Sequence, residues 1–552
     1  MRFLGVNAIF HDPAAALVCD GEVVAAAEEE RFSRRKHGKR PVPFAAWELP
    51  EQAMRWCLDE AGLRPEDLDG VAYSYDPALV RPGGPGQDPS WERLRTLFAQ
   101  RAPQFLATAL PGLDPDRVRY VRHHVAHAAS AGLAAPAGPG EGVGDSAVLV
   151  ADGRGEATSY LAGRYRGGRL EVLAEQQLPH SLGLMYEDVT EHLGFARSSD
   201  EYKVMALASY GTPRFAAELA RRVRVVDGLR FEAPPIDWGA LVKARRPGED
   251  WTPDHADLAA SVQRRLEDVL LELVRALHAE TGEPLLTMAG GVALNCVANS
   301  RLQAEGPFER VWVQPASGDA GTALGGALHL SWLAGEPVAP MTGADLGRGW
   351  TDDEIESVLA TAAVPYERPA DLADTVARAL ADDRVVAWFQ GRSEFGPRAL
   401  GHRSLLAHPG NAANVERLND VKGREQFRPV APMVSAGRAA EIFGRGPLPS
   451  PYMLFVHDVL PEWRDRLPAV THVDGTARVQ TVDAADDPLT ARLLDRFSAR
   501  TGLPVVVNTS LNTAGRPMVD SPADALECFG SAPVDLLAIG PFTVRRAALF
   551  AR

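Results

Sequence analysis

The segment HHVAHAAS, residues 123–130, places His123 and His127 four apart among small apolar residues. On a helix an (i, i+4) pair stacks both rings on one face. Two metal ligands need that geometry, and any amphipathic helix also offers it, so spacing alone leaves both readings open. Asp319, in PASGDAGTALGGAL (315–328), stands between an apolar strand and a glycine-rich helix. It would complete a set of two imidazoles and one carboxylate, which suits Fe(II), with Mn(II) or Zn(II) as alternatives. The plain alternative for Asp319 is a helix N-cap.

Two glycine turns offer anion sites. In DGRGEATS (152–159) the small residues Gly153 and Gly155 let backbone N–H groups approach a phosphate, and Asp152 could hold a metal or a phosphate-bound water. An ordinary hairpin turn explains the same residues. In AGGVALN (289–295), Gly290, Gly291 and Asn295 open a helix whose bare N–H groups attract anions, or they form a packing turn. Neither is a Walker A or a Rossmann motif. A third constellation is cationic. EFGPRALGHRSLLA (394–407) carries Arg398 and Arg403, and KGREQFRPVAP (422–432) adds Lys422, Arg424 and Arg428. Such clustering beside Gly and Pro suits a polyphosphate or an acyl phosphate. Arg478 in DGTARVQTV and Asn508 and Ser510 in VVVNTSLN are expected to line the same pocket.

The elements that must position these groups are legible. The opening FLGVNAIFHDPAAALVCDGEVVAAAEEERF reads as three strands, the last two joined by the hairpin signal Asp20-Gly21. A helix near 50–62 and a strand near Val71 follow. SAVLVADGRGEATSYLAGRY repeats the opening plan of strand, Asp-rich turn and strand, which predicts a duplicated half-domain. Flexible loops are expected at 81–90 and 134–145, and a long helix over 258–280. A stretch rich in Pro, Gly, Asp and Glu over 336–370 places the main boundary near residue 365. This gives domains of 1–365 and 366–552, the second an α/β unit.

The chain has 552 residues, 45% of them hydrophobic, and a net charge of −15, an acidic balance that argues against nucleic acid as a partner. Its four cysteines form no C-x-x-C, and no apolar run reaches the ~18 residues of a membrane span. A cytoplasmic protein without membrane contact is expected. Richness in Ala, Arg, Pro and Gly fits a GC-rich bacterial genome.

The stretches HDPAAALV, AAAEEERFSRRKH, HHVAHAAS, DGRGEATS, PHSLGLMYEDVTEHLGF, EYKVMALASYG, AGGVALN, EFGPRALGHRS, KGREQFRPVAP, HVDGTARVQTV and NTSLN occur in one order. The chain thereby resembles the NodU/CmcH carbamoyltransferase family over about residues 3–545. The resemblance implies a duplicated actin-like ATPase domain, similar to the subunit that transfers threonylcarbamoyl to tRNA, followed by a YrdC-like domain. It implies that the YrdC-like domain converts carbamoyl phosphate and ATP, accompanied by Mg²⁺, to carbamoyl adenylate and pyrophosphate. The N-terminal domain would then pass the carbamoyl group to a substrate hydroxyl at a metal held by His123, His127 and Asp319. Arg398, Lys422, Arg428 and Arg478 would bind the phosphates. His11 is the candidate general base or orienting group, and Asp200 the second. The expected acceptor is a small natural product: a macrolide or ansamycin or its sugar, or an aminoglycoside. A homodimer is also expected. Three positions depart from the family pattern: Ser209 for proline, Leu511 for phenylalanine and Arg516 for glutamate. The rival readings are a tRNA threonylcarbamoyl-type transferase, an actin-like metal-dependent nucleotide hydrolase, and a nucleotide-regulated interaction module without catalysis.

Overall fold

A computed structural model describes residues 1–38, 48–81, 89–136 and 145–549. The expected loops at 81–90 and 134–145 lie largely outside the described residues. The chain divides into two compact units, Met1–Gly343 and Ala344–Arg552.

The first unit holds two five-stranded sheets of one plan. In the first, β1 (Arg2–Asn7), β2 (Ala14–Cys19) and β3 (Glu22–Glu28) form an antiparallel meander, and β4 (Gly70–Tyr73) and β5 (Val118–Tyr120) extend it in parallel beyond β1. Asp20 and Gly21 both take positive φ, 51° and 83°, as a tight turn matched to strand twist requires. In the second sheet, β6 (Ser146–Ala151), β7 (Thr158–Arg166) and β8 (Arg169–Gln177) form the meander. A small hairpin of β9 (Arg224–Asp227) and β10 (Arg230–Glu232) stands apart. β11 (Leu285–Ala289) and β12 (Arg310–Val313) then complete the second sheet in parallel beyond β6. The orders β3-β2-β1-β4-β5 and β8-β7-β6-β11-β12 are the same. This is the duplication expected from the repeated strand-turn-strand plan, in the strand order of the actin-like fold that the family resemblance implied.

Each half ends in a helix after its last strand. His123–Gly132 follows β5 and Ala320–Leu333 follows β12. Both are buried almost all round, and they touch along a seam of small residues. A Cβ on Gly325 would overlap the Ala126 carbonyl oxygen, and one on Gly5 in β1 would overlap the Ala323 carbonyl oxygen. The glycines of GTALGGAL therefore serve backbone-to-backbone approach. Gly325→Ala is expected to cost about 3 kcal/mol or more, because the obstacle is backbone and cannot rotate away. A lower unfolding midpoint in denaturant would show it, and an unchanged midpoint would contradict the packing.

The second unit is a mixed seven-stranded sheet. β13 (Val386–Phe389), β14 (Arg403–Ala407) and β15 (Ala431–Ser435) belong to it. β16 (Phe443–Gly444), β17 (His457–Val459) and β18 (Thr476–Ala477) form a separate small sheet. β19 (Gln480–Val482), β20 (Val505–Ser510), β21 (Leu536–Ile539) and β22 (Phe542–Arg545) complete the large one, in the order β19-β15-β20-β14-β13-β21-β22. Its core holds Trp388, Val505 to Val507 and Leu536 to Ile539. The unit begins earlier than the boundary expected near residue 365. Trp350 donates its indole N–H to the Asp520 carbonyl (2.9 Å), Arg348 pairs with the Asp520 carboxylate, and Glu367 bridges to Thr543 in β22. The linker-like composition conceals a capped helix, Asp352–Thr361, whose Thr351 and Glu354 close its first turn.

No helix among the described residues is long and apolar enough to cross a membrane.

Candidate active site

His123 and His127 sit at the start of their helix, fully buried, with ring centroids 4.8 Å apart. The N-cap, Arg122, gives no side-chain cap; the Glu156 carboxylate instead accepts the His123 N–H at 2.8 Å. The His123 Nδ1 faces the Ser74 carbonyl at 3.1 Å. A carbonyl can only accept, so Nδ1 carries the proton and Nε2 presents its lone pair. That lone pair faces two carboxylates, Asp152 Oδ2 at 3.4 Å and Asp319 Oδ1 at 3.5 Å. His127 Nε2 stands 3.8 Å and 3.5 Å from the same two oxygens. The other oxygen of each carboxylate is tied down. Asp152 Oδ1 accepts the Gly291 N–H (2.9 Å), and Asp319 Oδ2 accepts the His11 N–H (3.2 Å). Neither imidazole Nε2 has a hydrogen-bond partner among the described residues, although both are buried. Buried polar atoms in that state call for a ligand.

Ligand atoms of His123, His127, Asp152 and Asp319 all lie within 4.8 Å of one another. Two neutral imidazoles and two anchored carboxylates fit a divalent transition metal. Burial alone would protonate the carboxylates; with no cation between them His123 charges instead, raised by the two carboxylates against its own burial, and holds both below their usual range, a role that a bound cation would take over with both imidazoles neutral. Asp319 does not cap its helix. Asp152, expected to hold a metal or a phosphate-bound water, belongs to the metal-competent group.

The turn after β1 brings His11 to this cluster. Burial opposes a charge on its ring, but Asp12, with Asp319 and Glu187, outweighs burial and raises it to about 9. A divalent cation on Asp319 would cancel that carboxylate's share. Asp200, expected as a second base, is occupied. It accepts the Ala196 N–H (3.0 Å) and the Tyr202 O–H (3.3 Å) and pairs with Lys203 at 3.0 Å.

The glycine turns serve the cluster from within. Gly290, at φ 93°, passes so close to Ala151 that a Cβ would overlap its carbonyl, and Gly291 spends its N–H on Asp152. Asn295 caps the helix Cys296–Glu305 and bonds Gln263. A Cβ on Gly155 would stand 3.1 Å from the His124 ring, and one on Gly153 would stand 3.0 Å from Glu187. The anion that the Gly290-Gly291 turn receives is the protein's own Asp152, while in the first turn the Gly155 N–H donates to the Thr158 carbonyl at 2.7 Å.

In the second unit, strand polarity gathers the cationic residues. The C-terminal end of β20 meets the N-terminal ends of β14 and β15, and β19 runs parallel to β15. Arg398, Arg428 and Arg478, just before those three strands, and Ser510, ending β20, therefore lie at one end of the sheet. Lys422 is buried there, donating to the Ser510 carbonyl (2.6 Å), the Ser510 hydroxyl (2.8 Å) and Asn512 Oδ1. Asn508 is scaffold, donating to Gln480 Oε1 (2.7 Å) and the Ala399 carbonyl (3.1 Å). Arg424 bonds Asn419, and Arg428 pairs with Glu425 at 3.6 Å.

Both units match family models, described as Carbamoyltransferase N-terminus over residues 2–80 and 107–328 and Carbamoyltransferase C-terminus over residues 377–546. The chain belongs to the carbamoyltransferase family. This carbamoyltransferase-family enzyme is 38% identical to the nodulation protein NolNO of Sinorhizobium fredii, over 98% of this chain and 80% of the relative. It is 35% identical to the 3'-hydroxymethylcephem-O-carbamoyltransferase of Amycolatopsis lactamdurans, over 64% of this chain and 66% of the relative. A solved structure of full-length HypF in its phosphate- and nucleotide-bound form matches 61% of this chain and 47% of its own at 13% identity, with a TM-score of 0.35. Family membership makes the chain a transferase, and its C-terminal family model falls on the second, mixed α/β unit.

Several residues of the transferase escaped sequence reasoning. His124 bonds Thr158 Oγ1 at 2.8 Å and turns Nε2 toward Asp152 Oδ2 at 3.8 Å; its place directly beside His123 was the available signal. Asn512 lay inside a quoted motif. Of the departures, Leu511 is fully buried in the core, Arg516 pairs with Glu527 at 3.1 Å, and Ser209 bonds the Ala206 carbonyl at 2.7 Å. Arg403 is a clamp, stacked 3.8 Å over Phe389 and donating to the Gln390 carbonyl (2.7 Å) and the Arg348 carbonyl (2.9 Å).

Glu394 builds the loop that carries Arg398. It is buried, and its Oε1 accepts N–H groups of Leu400 (2.6 Å), His402 (3.1 Å) and Arg403 (3.1 Å). Burial pushes its pKa up, but His402, Arg403 and the N–H groups together hold it below 4.5. A depressed folded pKa contributes stability at pH above 4.5 that is lost as pH falls toward and through the folded value. Glu394→Gln is expected to cost roughly 2 kcal/mol at neutral pH and to flatten the acid limb of the stability-pH curve. An acid limb identical to wild type would contradict this assignment.

Proposed function

We propose that this enzyme forms carbamoyl adenylate from carbamoyl phosphate and ATP in its YrdC-like unit, releasing pyrophosphate and phosphate with consumption of one water. It then transfers the carbamoyl group to a hydroxyl of a small secondary metabolite, with AMP as the leaving group, at the cluster of His123, His127, Asp152 and Asp319. The observation that carries the proposal is that cluster: two buried imidazole lone pairs facing two anchored carboxylates, with His11 held against one of them. An Fe(II) ion is the proposed occupant. Bound there, a metal supplies Lewis acidity to the carbamoyl oxygen, worth several kcal/mol as negative charge develops on it. His11 orients the acceptor hydroxyl, and its neutral form, the minor one at neutral pH with a pKa of about 9, takes the proton. Burial of the cluster excludes the bulk water that would compete with the acceptor. In the YrdC-like unit, Lys422 with Arg398, Arg428 and Arg478 neutralises the phosphates, ATP entering with Mg²⁺, and lowers the cost of pyrophosphate departure.

We place the acceptor among macrolides, ansamycins, their sugars, aminoglycosides and cephems, and the enzyme in the cytoplasm, where carbamoyl phosphate and ATP are made. A tRNA acceptor fits poorly with a net charge of −15. A metal-dependent nucleotide hydrolase, or a non-catalytic module, leaves the buried Lys422 and its convergent arginines without a use.

The test is incubation with ATP, Mg²⁺ and carbamoyl phosphate, following pyrophosphate and carbamoyl adenylate by mass spectrometry, then addition of 3'-hydroxymethylcephem and a panel of glycosylated metabolites. Absence of the adenylate under every metal would refute the two-step reading.

A further inference from the structure

Beside the cluster lies a second polar constellation. His11 Nδ1 is 2.9 Å from Asp12 Oδ2, and the other oxygen, Asp12 Oδ1, is 2.9 Å from His37 Nδ1. His37 Nε2 is 2.8 Å from the Ser199 hydroxyl. The His11 and His37 rings are 4.3 Å apart. These residues come from three separate places in the chain, and only His11 carries a role in the reaction so far.

The donor directions follow from chemistry. An ionised Asp12 accepts only, so both Nδ1 atoms carry protons and both rings donate to it. His37 Nε2 then accepts from the Ser199 O–H. The hydrogen bonds along Ser199, His37 and Asp12 therefore run in one sense, and His11 closes the chain on the other oxygen of Asp12. Asp12 is pinned at both oxygens, and His11 is left with Nε2 as its outward nitrogen.

Backbone strain gives an independent sign. Among the described residues, non-glycine positions at positive φ include Phe10 (45°), Asp12 (44°), His37 (61°) and Ser198 (57°). Each of the three contributing loops thus holds a side-chain-bearing residue in the left-handed region, at the constellation or directly beside it. Such conformations cost of order 1–3 kcal/mol each and persist where the surroundings enforce them, often at functional sites. His37 is secured further by its own N–H, which donates to Glu30 Oε2 at 2.7 Å.

We propose that His37 is a positioning residue for the transfer step. Through Asp12 it fixes the ring of His11 with Nδ1–H directed at the carboxylate and Nε2 directed at the acceptor hydroxyl, and Ser199 fixes His37 in turn. The proposal deepens the proposed function, since it rests on the assignment of His11 there.

The test uses the full-length, metal-loaded protein with ¹⁵N-labelled histidine rings. In the wild type the Nδ1 protons of His11 and His37, both bonded to a carboxylate, are expected as two downfield, slowly exchanging resonances, with His11→Gln assigning the first. His37→Phe should remove its own resonance and speed exchange of the His11 Nδ1 proton at least 10-fold. His37→Gln, which keeps an amide N–H donor, should restore most of the protection. Should His37→Phe fail to fold, Ser199→Ala provides the second variant, with a smaller loss of protection at His37 and then at His11. A His11 Nδ1 resonance that is unchanged in His37→Phe, or in Ser199→Ala where that variant stands in, overturns the proposal. None of these readouts requires turnover. If they behave as expected while His11→Gln transfers carbamoyl to the acceptor panel as fast as wild type, the role of His11 fails and the relay stands.

Discussion

His123→Ala should leave carbamoyl adenylate formation intact, empty the metal site and slow carbamoyl transfer by roughly 10³-fold, the rate equivalent of losing several kcal/mol of charge stabilisation. The side chain is fully buried, and its Nε2 faces both carboxylates of the cluster. Removing it leaves Asp319 facing His127 at 3.5 Å and Asp152 facing His127 and His124 at 3.8 Å each, with one member of the four-residue donor set gone. Elemental analysis should fall from about one ion per chain to near none. His124→Ala is the informative contrast, because its Nε2 reaches only Asp152, and at 3.8 Å. A residue that orients a ligand typically changes affinity or activity 10–100-fold, so this variant should fall between wild type and His123→Ala. Full metal content with full transfer in His123→Ala would remove the cluster from the reaction.

Lys422→Ala should have the complementary effect, lowering adenylate and pyrophosphate formation by roughly 10²–10³-fold while metal content stays at the wild-type level. The ammonium is held on three sides by the Ser510 carbonyl, the Ser510 hydroxyl and Asn512. That cage is built for a compact point charge, so Lys422→Arg should rescue little. Measuring both variants for both steps separates the two centres. Adenylate formation at the wild-type rate in Lys422→Ala would disprove the assignment of the cationic end of the sheet.

The duplication was legible because it rests on local signals: two apolar strands, each followed by an Asp-bearing turn, and the Asp20-Gly21 hairpin. His123 and His127 were legible because helical spacing alone puts them on one face. The place of Asp152 was not. Its role depends on β6 lying next to β11, so that Gly291 can hold one oxygen while the other turns to the histidines, and no local pattern encodes that pairing. For the same reason the Gly290-Gly291 turn could read as an anion site or a packing turn; the N–H of Gly291 looks identical in sequence whether its anion is a ligand or a side chain. His37 lay unread inside a quoted motif because its partners, Asp12 and Ser199, are 25 and 162 positions away. The unit boundary was read late because a short capped helix resembles a linker in composition.

The residues that converge on the cluster span nearly the whole first unit: the His11 N–H reaches Asp319 across 308 positions of chain. Contacts of such separation bear a loop-closure cost and form late in folding. An emerging polypeptide lacks this coordination sphere until β12 and its following helix have been synthesised and docked. A metal proposed for this cluster would therefore bind last in the assembly of the first unit, once its two sheets have closed on each other.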